Sequence, residues 1–446
     1  MPKASIAGLQ VDTFSKSQLL EVLAGHLAGR QKTFVVTPYG EFLYAALRDP
    51  KTMALLNSAD IAIPDGVSIL WAERFLSLPF SARSYYGKVF QALWQIIYTG
   101  AAILLNPKSI YKTFPEKITG ADLVWDIAEL AAKNNYSVYL LGGFGETTKK
   151  TAEILRKKYP GLNIVGTSNK SPGDEAEILP DLAAKQPDIL LVAFGPLRQE
   201  KWISEHYGQI PAKLIIGLGG TFDYIAGRKK APPRFVRRAG LEWLYRLITQ
   251  PRRLVRIKNA TWDLVLALWR YKVFQSMPWR PNAVFVVLND EGKVLLMRRS
   301  PTDWSLRDIG ERIYLGKYDN YWQLPQGGID ANETVMDCAK RELFEEIGLR
   351  TLSPIGTAKK THAYLYNNAF RPLLRNAFHV RGQLQQVAYL NFSGSSEEIK
   401  LTPEEVAEVR WIEPAELVQS VHEQRQPVTR LASEGLADLQ NLEKPA

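Results

Sequence analysis

Cysteine is all but missing from this chain: its 446 residues include one, Cys338. A single thiol excludes an internal disulfide and any cysteine-built zinc cluster, which suits a reducing cytoplasm. The N-terminal run MPKASIAGLQVDTFSK lacks the apolar core of a secretory signal, so nothing in it marks the chain for export. Acids are scarce in one stretch. Arg228 to Arg280 holds 14 Lys or Arg against two acids, whereas Pro281 to Ala446 holds 19 against 23. The net charge of +10 therefore belongs to one connecting segment. Such a strip can meet nucleic acid, anionic lipid or a phosphorylated ligand, and no recognised nucleic-acid module accompanies it.

What is present is ordinary for globular protein, with 46% hydrophobic and 11% aromatic residues in a length that allows two or three domains. Ser17 to Ala28 reads as a helix, Thr33 to Thr37 as a short apolar strand and Glu41 to Leu56 as a second helix. Ala59 to Pro64 is another strand, ending at Asp65-Gly66, and Val67 to Leu76 is again helical. The pattern returns at Ser137 to Leu141, Asn163 to Val165, Ile189 to Phe194 and Lys213 to Leu218. Continuous apolar strands followed by glycine and a helix predict a parallel sheet covered on both faces, with ligands at the carboxyl ends of its strands. The GGFGE turn at Gly142 to Glu146 either brings backbone amides and a helix N-terminus to a diphosphate or is a plain tight turn.

From Asn282 the rhythm changes. NAVFVVLNDEGKVLLMRR gives two strands around the turn Asn289 to Gly292. Further on, Thr334 to Ile347 reads as a helix closed by Gly348, with Val335, Ala339, Leu343 and Ile347 forming an apolar stripe. Glu342, Glu345 and Glu346 share another face, where like charges repel by roughly 0.2–0.5 kcal/mol per pair and call for a cation. Carboxylates around one ion that also touches phosphate oxygens describe a Mg²⁺ site. A solvated acidic helix after a loop is the plainer alternative.

The run from Gly327 to Leu349 resembles a Nudix box, with Gly327, Glu333, Arg341, Glu342, Leu343, Phe344, Glu345, Glu346, Ile347, Gly348 and Leu349 in its fixed positions. The resemblance implies an α/β/α sandwich that hydrolyses a diphosphate joined to another group. By it, Glu342, Glu345 and Glu346 hold Mg²⁺ or Mn²⁺, Glu345 and Glu346 also count as catalytic, and Arg341 orients a glutamate. WQLPQGG at Trp322 to Gly328 and GQLQQVAYL at Gly382 to Leu390 are similar to the branch acting on dinucleoside polyphosphates and 5′-phosphorylated RNA ends. In that branch Glu405, six residues before Trp411, matches an additional catalytic carboxylate, and EVRWIEPAEL at Glu408 to Leu417 matches the closing strand and helix. Nucleic acid is a partner only if the substrate is an RNA end.

The blocks TPYGEF (Thr37 to Phe42), PDG (Pro64 to Gly66), ITGADL (Ile118 to Leu123), LLGGFGE, FGPLRQEKW (Phe194 to Trp202), GGTFDYIAG (Gly219 to Gly227) and GLEWLYRL (Gly240 to Leu247) resemble, in order, the WecG/TagA/CpsF glycosyltransferases. This resemblance covers about residues 5–257. It implies a Rossmann-like domain that transfers an N-acetylmannosamine-type sugar from a UDP donor to a polyprenyl-diphosphate-linked acceptor in surface-polymer synthesis, with no cofactor of its own. On matching positions Asp65 is the general base for the acceptor hydroxyl, with Thr37 beside it. Gly143, Gln199 and Asp223 are substrate contacts, Glu200 is a weaker one, and Arg246, Arg253 and Arg256 hold diphosphates. Tyr39 stands where the family usually has asparagine.

Leu78 to Lys117 is an insertion relative to that family. Within it Val89 to Pro107 carries no charge and is flanked by Arg83, Lys88, Lys108 and Lys112. Gln91, Gln95 and Thr99 form a polar stripe, which favours a helix lying in a membrane interface over a core or dimer-interface helix and over a true span. In the basic segment Trp262, Leu266, Trp269 and Val273 mark an apolar face beside Lys and Arg, which suits an anionic membrane surface. The expected α/β chain thus has a transferase domain at 1–227 with the insertion at 78–117, a basic appendage at 228–279, a Nudix domain at 280–425 and a tail at 426–446. It is expected to be bifunctional, cytoplasmic and peripheral on the inner face of the membrane, with homo-oligomers open. The alternative is a Nudix hydrolase whose transferase half is inactive and serves as an anchor.

Overall fold

A computed structural model of the chain describes residues 2–229, 245, 258–300, 321–365 and 380–442. They fall into two compact units, Met1–Val273 and Phe274–Ala446. In the first, β1 (Lys3–Ile6) and β2 (Leu9–Asp12) form an antiparallel hairpin. Six further strands, β3 (Thr33–Val36), β4 (Ile61–Ala62), β5 (Ser137–Gly142), β6 (Asn163–Ser168), β7 (Ile189–Ala193) and β8 (Leu214–Gly217), make one sheet in the order β4-β3-β8-β7-β5-β6. Every pairing in it is parallel.

Alternation along the strands divides two cores. Val35, Leu140, Leu191 and Ile216 pack with Leu23 of α1 (Lys16–Ala28), Ile127 of α6 (Gly120–Asn134) and Leu155 of α7 (Thr147–Lys158). Phe34, Leu141, Leu190 and Ile215 pack with Leu182 of α8 (Glu175–Lys185) and Trp202 of α9 (Arg198–His206). At β3, β5, β7 and β8 both faces are thereby closed to solvent, which is why those strands are almost wholly apolar, whereas the edge strand β6 is only partly buried.

The helix expected over Glu41 to Leu56 is two, α2 (Gly40–Arg48) and α3 (Pro50–Asn57). Asp49 between them is extended and caps α3 through the amides of Lys51 and Thr52, while Pro50, lacking an N–H, fits only a first turn. After β4 come α4 (Val67–Ser77) and α5 (Tyr85–Leu105), the helix within the stretch expected as an insertion. The polar stripe of α5 turns into the protein. Gln91 Oε1 accepts from the amides of Ser81 and Ala82 at 3.1 and 2.9 Å, Gln95 Nε2 donates to Pro79 O at 2.9 Å, and Trp71 Nε1 donates to Thr99 Oγ1 at 2.9 Å. Among the described residues no helix is long and apolar enough to cross a membrane.

Past α10 (Thr221–Ile225), α11 (Leu264–Gln275) buries Leu264, Ala267, Leu268 and Val273. Of the apolar face expected there only Val273 is buried, and Trp262 and Leu266 are exposed. A π-helical turn over Asn259–Asp263 precedes α11, and its wider winding rotates the residues on either side out of a single stripe. Lys272, expected on an outward basic strip, is buried: Nζ donates to Phe75 O and to Gln95 Oε1 and lies over the Phe75 ring.

The second unit holds a mixed sheet of β9 (Trp279–Leu288), β10 (Val294–Arg299), β11 (Trp322–Gln323), β12 (Gln326–Gly328), β13 (Leu352–Leu365), β14 (Gly382–Phe392) and β15 (Val406–Ile412). Its path is β11-β10-β9-β14-β13, with β12 on β9 and β15 on β10. The expected hairpin turn forms, but β9 and β10 pair only at Leu288 and Val294. Beyond that pair β9 takes β12 and the parallel β14, and β10 takes β15 and β11. Ala283, Phe285 and Val287 pack under α12 (Val335–Ile347) with Cys338, Ala339, Leu343 and Ile347. On the opposite face Val284, Val286, Val387 and Tyr389 pack with Val428, Ala432 and Leu436 of α13 (Gln426–Leu442). The stretch expected as a tail is therefore the second helical layer, because its residues at i, i+4 and i+8 are apolar and match an otherwise open sheet face. After β15 the expected closing helix is a single 3-10 turn, Pro414–Glu416.

Leu436 is 3% exposed within this layer. Leu436→Ala is expected to lower the stability of the second unit by roughly 2–5 kcal/mol, read as a shifted urea midpoint. A chain ending at Arg425 is expected to lose that unit's cooperative transition altogether.

Candidate active sites

The carboxyl ends of the parallel strands carry the first site. Thr37 follows β3 and donates from Oγ1 to Gly217 O at the end of β8, at 3.4 Å. Asp65 follows β4, its amide bonded to Pro38 O at 2.8 Å, and its Oδ2 accepts from the amide of Gly120 at 3.5 Å. A Cβ placed on Gly120 would lie 3.5 Å from Thr37 Oγ1 and 3.7 Å from Asp65 Oδ2, so all three meet around one point. Gly120 opens α6, whose cap is Thr119, and Asp65 therefore sits where helix amides favour negative charge. Tyr39, at the start of α2, donates its hydroxyl to Glu41 at 2.7 Å.

The expected substrate contacts lie around the same strand ends, but several already have protein partners. The Gly143 amide donates to Ala193 O at 3.0 Å, and a side chain there would strike Thr148 Oγ1. Gln199 is buried: Nε2 donates to Glu200 Oε1 and Oε1 accepts from the Gly219 amide, both at 2.8 Å. It thereby holds the turn after β8 from beneath. The Asp223 carboxylate is paired with Arg228 at 3.2 Å and with Lys229. Arg246, Arg253 and Arg256 lie outside the described residues. Glu200 is fully buried, its Oε2 makes no hydrogen bond among the described residues, and burial pushes its carboxyl up to about 7. Gly217, on which a Cβ would come within 2.7 Å of Glu200 Oε1, leaves the room it needs.

The second site is built on α12 and the loop before it. Arg341 grips Glu333 with two bonds, Nε to Oε1 at 2.8 Å and Nη2 to Oε2 at 2.9 Å, which holds that carboxyl below its ordinary range. The same guanidinium donates to Glu342 at 2.8 Å, to Glu345 at 3.3 Å and to Gly328 O at 2.9 Å. Glu346 is 4% exposed and pairs with Arg299 at 3.2 Å. Arg299 was not legible as a site residue; two positions after Met297 on β10, it shares the face covered by α12, and that alternation was the available signal. Burial raises the Glu342 carboxyl against the pull of Arg341, with Glu345 and Glu405 adding to the rise.

The three expected metal ligands are thus turned towards guanidinium groups, and among the described residues no three acids, histidines or cysteines converge on one point. The cation that the like-charged helix calls for is supplied by Arg341 and Arg299. The donor set nonetheless fits a hard divalent ion. It is all carboxylate oxygen, Glu342 feels the charge of Glu345 and Glu405, and its carboxyl lies in a space that a Cβ on Gly327 would fill, 2.1 Å from Glu342 Cδ.

The two units thus carry separate candidate sites, one at the ends of parallel strands and one on an acidic helix. The glycosyl transferase WecG/TagA/CpsF family matches residues 4–98 and 84–278, and the NUDIX domain matches residues 278–432. The chain belongs to the WecG/TagA/CpsF family and carries a Nudix hydrolase domain behind the transferase. Similar proteins include the N-acetylglucosaminyldiphosphoundecaprenol N-acetyl-beta-D-mannosaminyltransferase of Bacillus spizizenii, 28% identical over 58% of this chain and 85% of the relative. The enzyme of that name from Staphylococcus aureus is 23% identical over 61% and 93%. Among solved structures, a MutT protein from Methanosarcina mazei Go1 is 17% identical over 38% of this chain and 99% of its own, with a TM-score of 0.25. An Ap4A hydrolase from C. elegans is 15% identical over 35% and 98%, with a TM-score of 0.24.

Glu200 makes the first site sensitive to pH. Its carboxyl is raised from 4.5 to about 7 in the fold, so its contribution to stability is complete below pH 4.5 and is lost as pH rises through 7. Glu200→Gln keeps the shape and removes the titration. Urea midpoints of the first unit are expected to fall between pH 5 and pH 8 in the wild type, and this fall is expected to be much smaller in the variant.

Proposed function

We propose that the first unit transfers an N-acetylmannosamine-type sugar from a UDP donor to a polyprenyl-diphosphate-linked acceptor at the inner membrane surface, with Asp65 as general base. The observation that carries this reading is the meeting of Asp65 and Thr37 at the Gly120 amide, at the carboxyl ends of β3 and β4. Asp65 takes the proton of the acceptor hydroxyl, the freed oxygen bonds to the anomeric carbon, and the bond from that carbon to the nucleoside diphosphate breaks. Thr37 holds its side of the cleft by bonding to Gly217 O. Gln199 positions the Gly219 turn rather than touching the donor, and Asp223 orders Arg228 and Lys229 beside it. The names of the relatives support the acceptor and sugar class.

The second unit, on this reading, hydrolyses a nucleoside polyphosphate with Mg²⁺ or Mn²⁺. Glu342, Glu345 and Glu346 would hold the ion with help from Glu405, and the bound ion would neutralise the leaving phosphate and acidify the attacking water. Arg341 keeps Glu333 and the Gly328 carbonyl in register with the acidic face of α12, and Arg299 holds Glu346.

Asp65→Asn is expected to lower sugar transfer by roughly 100- to 10,000-fold while calorimetric binding of the UDP-sugar persists. Loss of donor binding would give Asp65 another role, and full activity would make it a turn residue. In the second unit Glu345→Gln, at an exposed position, is expected to cut nucleotide turnover by orders of magnitude with an unchanged melting temperature. Glu346→Gln is expected to do the same with some loss of stability, because Arg299 loses a charged partner. Unchanged turnover in both would remove the metal assignment.

A further inference from the structure

Helix α5 is mounted in the reverse of the usual sense. A surface helix ordinarily turns its polar face to water and its apolar face to the core. Here the polar residues Gln91, Gln95 and Thr99 are held inside by hydrogen bonds to Ser81, Ala82, Pro79 and Trp71. The outward face carries Tyr86, Phe90, Leu93, Trp94, Ile97 and Tyr98, which are 59, 69, 41, 66, 62 and 53% exposed. Beside it a shallow groove of about 270 Å³ is lined by Leu78, Pro79, Gln91, Trp94, Gln95 and Tyr98. A contiguous exposed apolar face on a protein surface marks contact with a partner or a membrane.

Charge selects between those. No ionisable side chain other than tyrosine lies between Lys88 and Lys108, no acid occurs from Val89 to Pro107, and Arg83, Lys108 and Lys112 are exposed at the two ends. Pairing this face with a second copy, in either direction, sets basic ends against basic ends with no carboxylate between them. An anionic leaflet complements both features, taking the apolar face below its headgroups and the basic ends on its phosphates. Aromatic side chains with polar edges, such as Trp94, Tyr86 and Tyr98, favour that same depth. At 21 residues α5 is about 31 Å long, which gives the contact length along the surface.

We propose that α5 is a membrane-docking helix, lying in the plane of an anionic leaflet with its Phe90, Trp94 and Ile97 face in the acyl boundary. This rests on the lipid-linked acceptor proposed above and adds how the site reaches it. Helix α4 starts two residues after Asp65 and is bonded to α5 through Trp71 and Thr99, while Lys272 joins Phe75 of α4 to Gln95 of α5. Asp65 is therefore one helix layer from the docking face, and seating α5 fixes the height of the base above the bilayer.

The test uses the full chain with vesicles of phosphatidylglycerol and phosphatidylcholine, and with phosphatidylcholine alone. Sedimentation is expected with the anionic vesicles, weaker with the neutral ones, and at least tenfold lower for Phe90→Ser/Trp94→Ser/Ile97→Ser, whose exposed positions leave the melting temperature unchanged. An environment-sensitive label on Ile97→Cys, selective because Cys338 is buried, is expected to shift to the blue and to be quenched by brominated lipid. Equal sedimentation of the triple variant, a label that stays in water, or equal binding to neutral vesicles would overturn the proposal. So would a variant that changes from dimer to monomer with its vesicle binding intact, since α5 would then be a self-association face. Transfer to a short-chain, water-soluble acceptor separates the two readings. The triple variant is expected to retain it, and failure of the wild type to transfer to any acceptor would remove the transferase reading while leaving the vesicle result to judge docking.

Discussion

A parallel sheet buried on both faces leaves one kind of place for chemistry, the carboxyl ends of its strands. In the first unit every sheet residue of β3, β7 and β8 is buried, so no side chain on those strands can reach a ligand. Candidate functional residues are therefore those one to three positions past a strand. Thr37, Asp65, Gly143 and Gly219 all occupy such positions, and the helices that begin there bring Gly120 and Gln199 to them. The glycines follow from the same crowding: Gly142 adopts a φ of 94°, and any side chain on it would strike Ala193.

The two units treat their carboxylates differently. Asp65 is half-buried and accepts from the Gly120 amide at the start of a helix, whereas Glu200 is sealed below the strand ends and is raised by burial. On α12 the acids are bound to arginine. One guanidinium, Arg341, bonds to Glu333, Glu342, Glu345 and a backbone carbonyl, and this convergence turns a helix that repels itself into a fixed acidic face.

Much of this was legible because it is local. The strand cores, the Thr334 cap with its Asp337 reciprocal bond and the left-handed Gly348 all follow from residue type at fixed spacing. The break at Asp49-Pro50 was missed: a proline after a capping aspartate starts a helix, but the apolar period running through it masks that signal. What sequence did not give depended on distant partners. The sense in which α5 is mounted is set by amides and a tryptophan on other elements. The burial of Lys272 depends on Gln95, 177 positions earlier, and the pairing of Arg299 on Glu346, 47 positions later. The apolar residues of α13 gave no indication of which sheet they would cover.

Lys272 has a consequence for how this chain can vary. Among the described residues its ammonium pairs with no carboxylate; it is held by the Phe75 carbonyl, the Gln95 amide oxygen and the faces of Phe75 and Phe80, and is lowered by burial to about 8. Gln95 belongs to α5 and Lys272 to α11, so each provides for a polar group that the other buries. Neither is a detachable accessory. With α11 removed, Gln95 would keep an amide oxygen that has lost its donor, and with α5 removed, α11 would hold its charge against aromatic rings alone. A change to either helix at this contact therefore has to be matched by a change in the other.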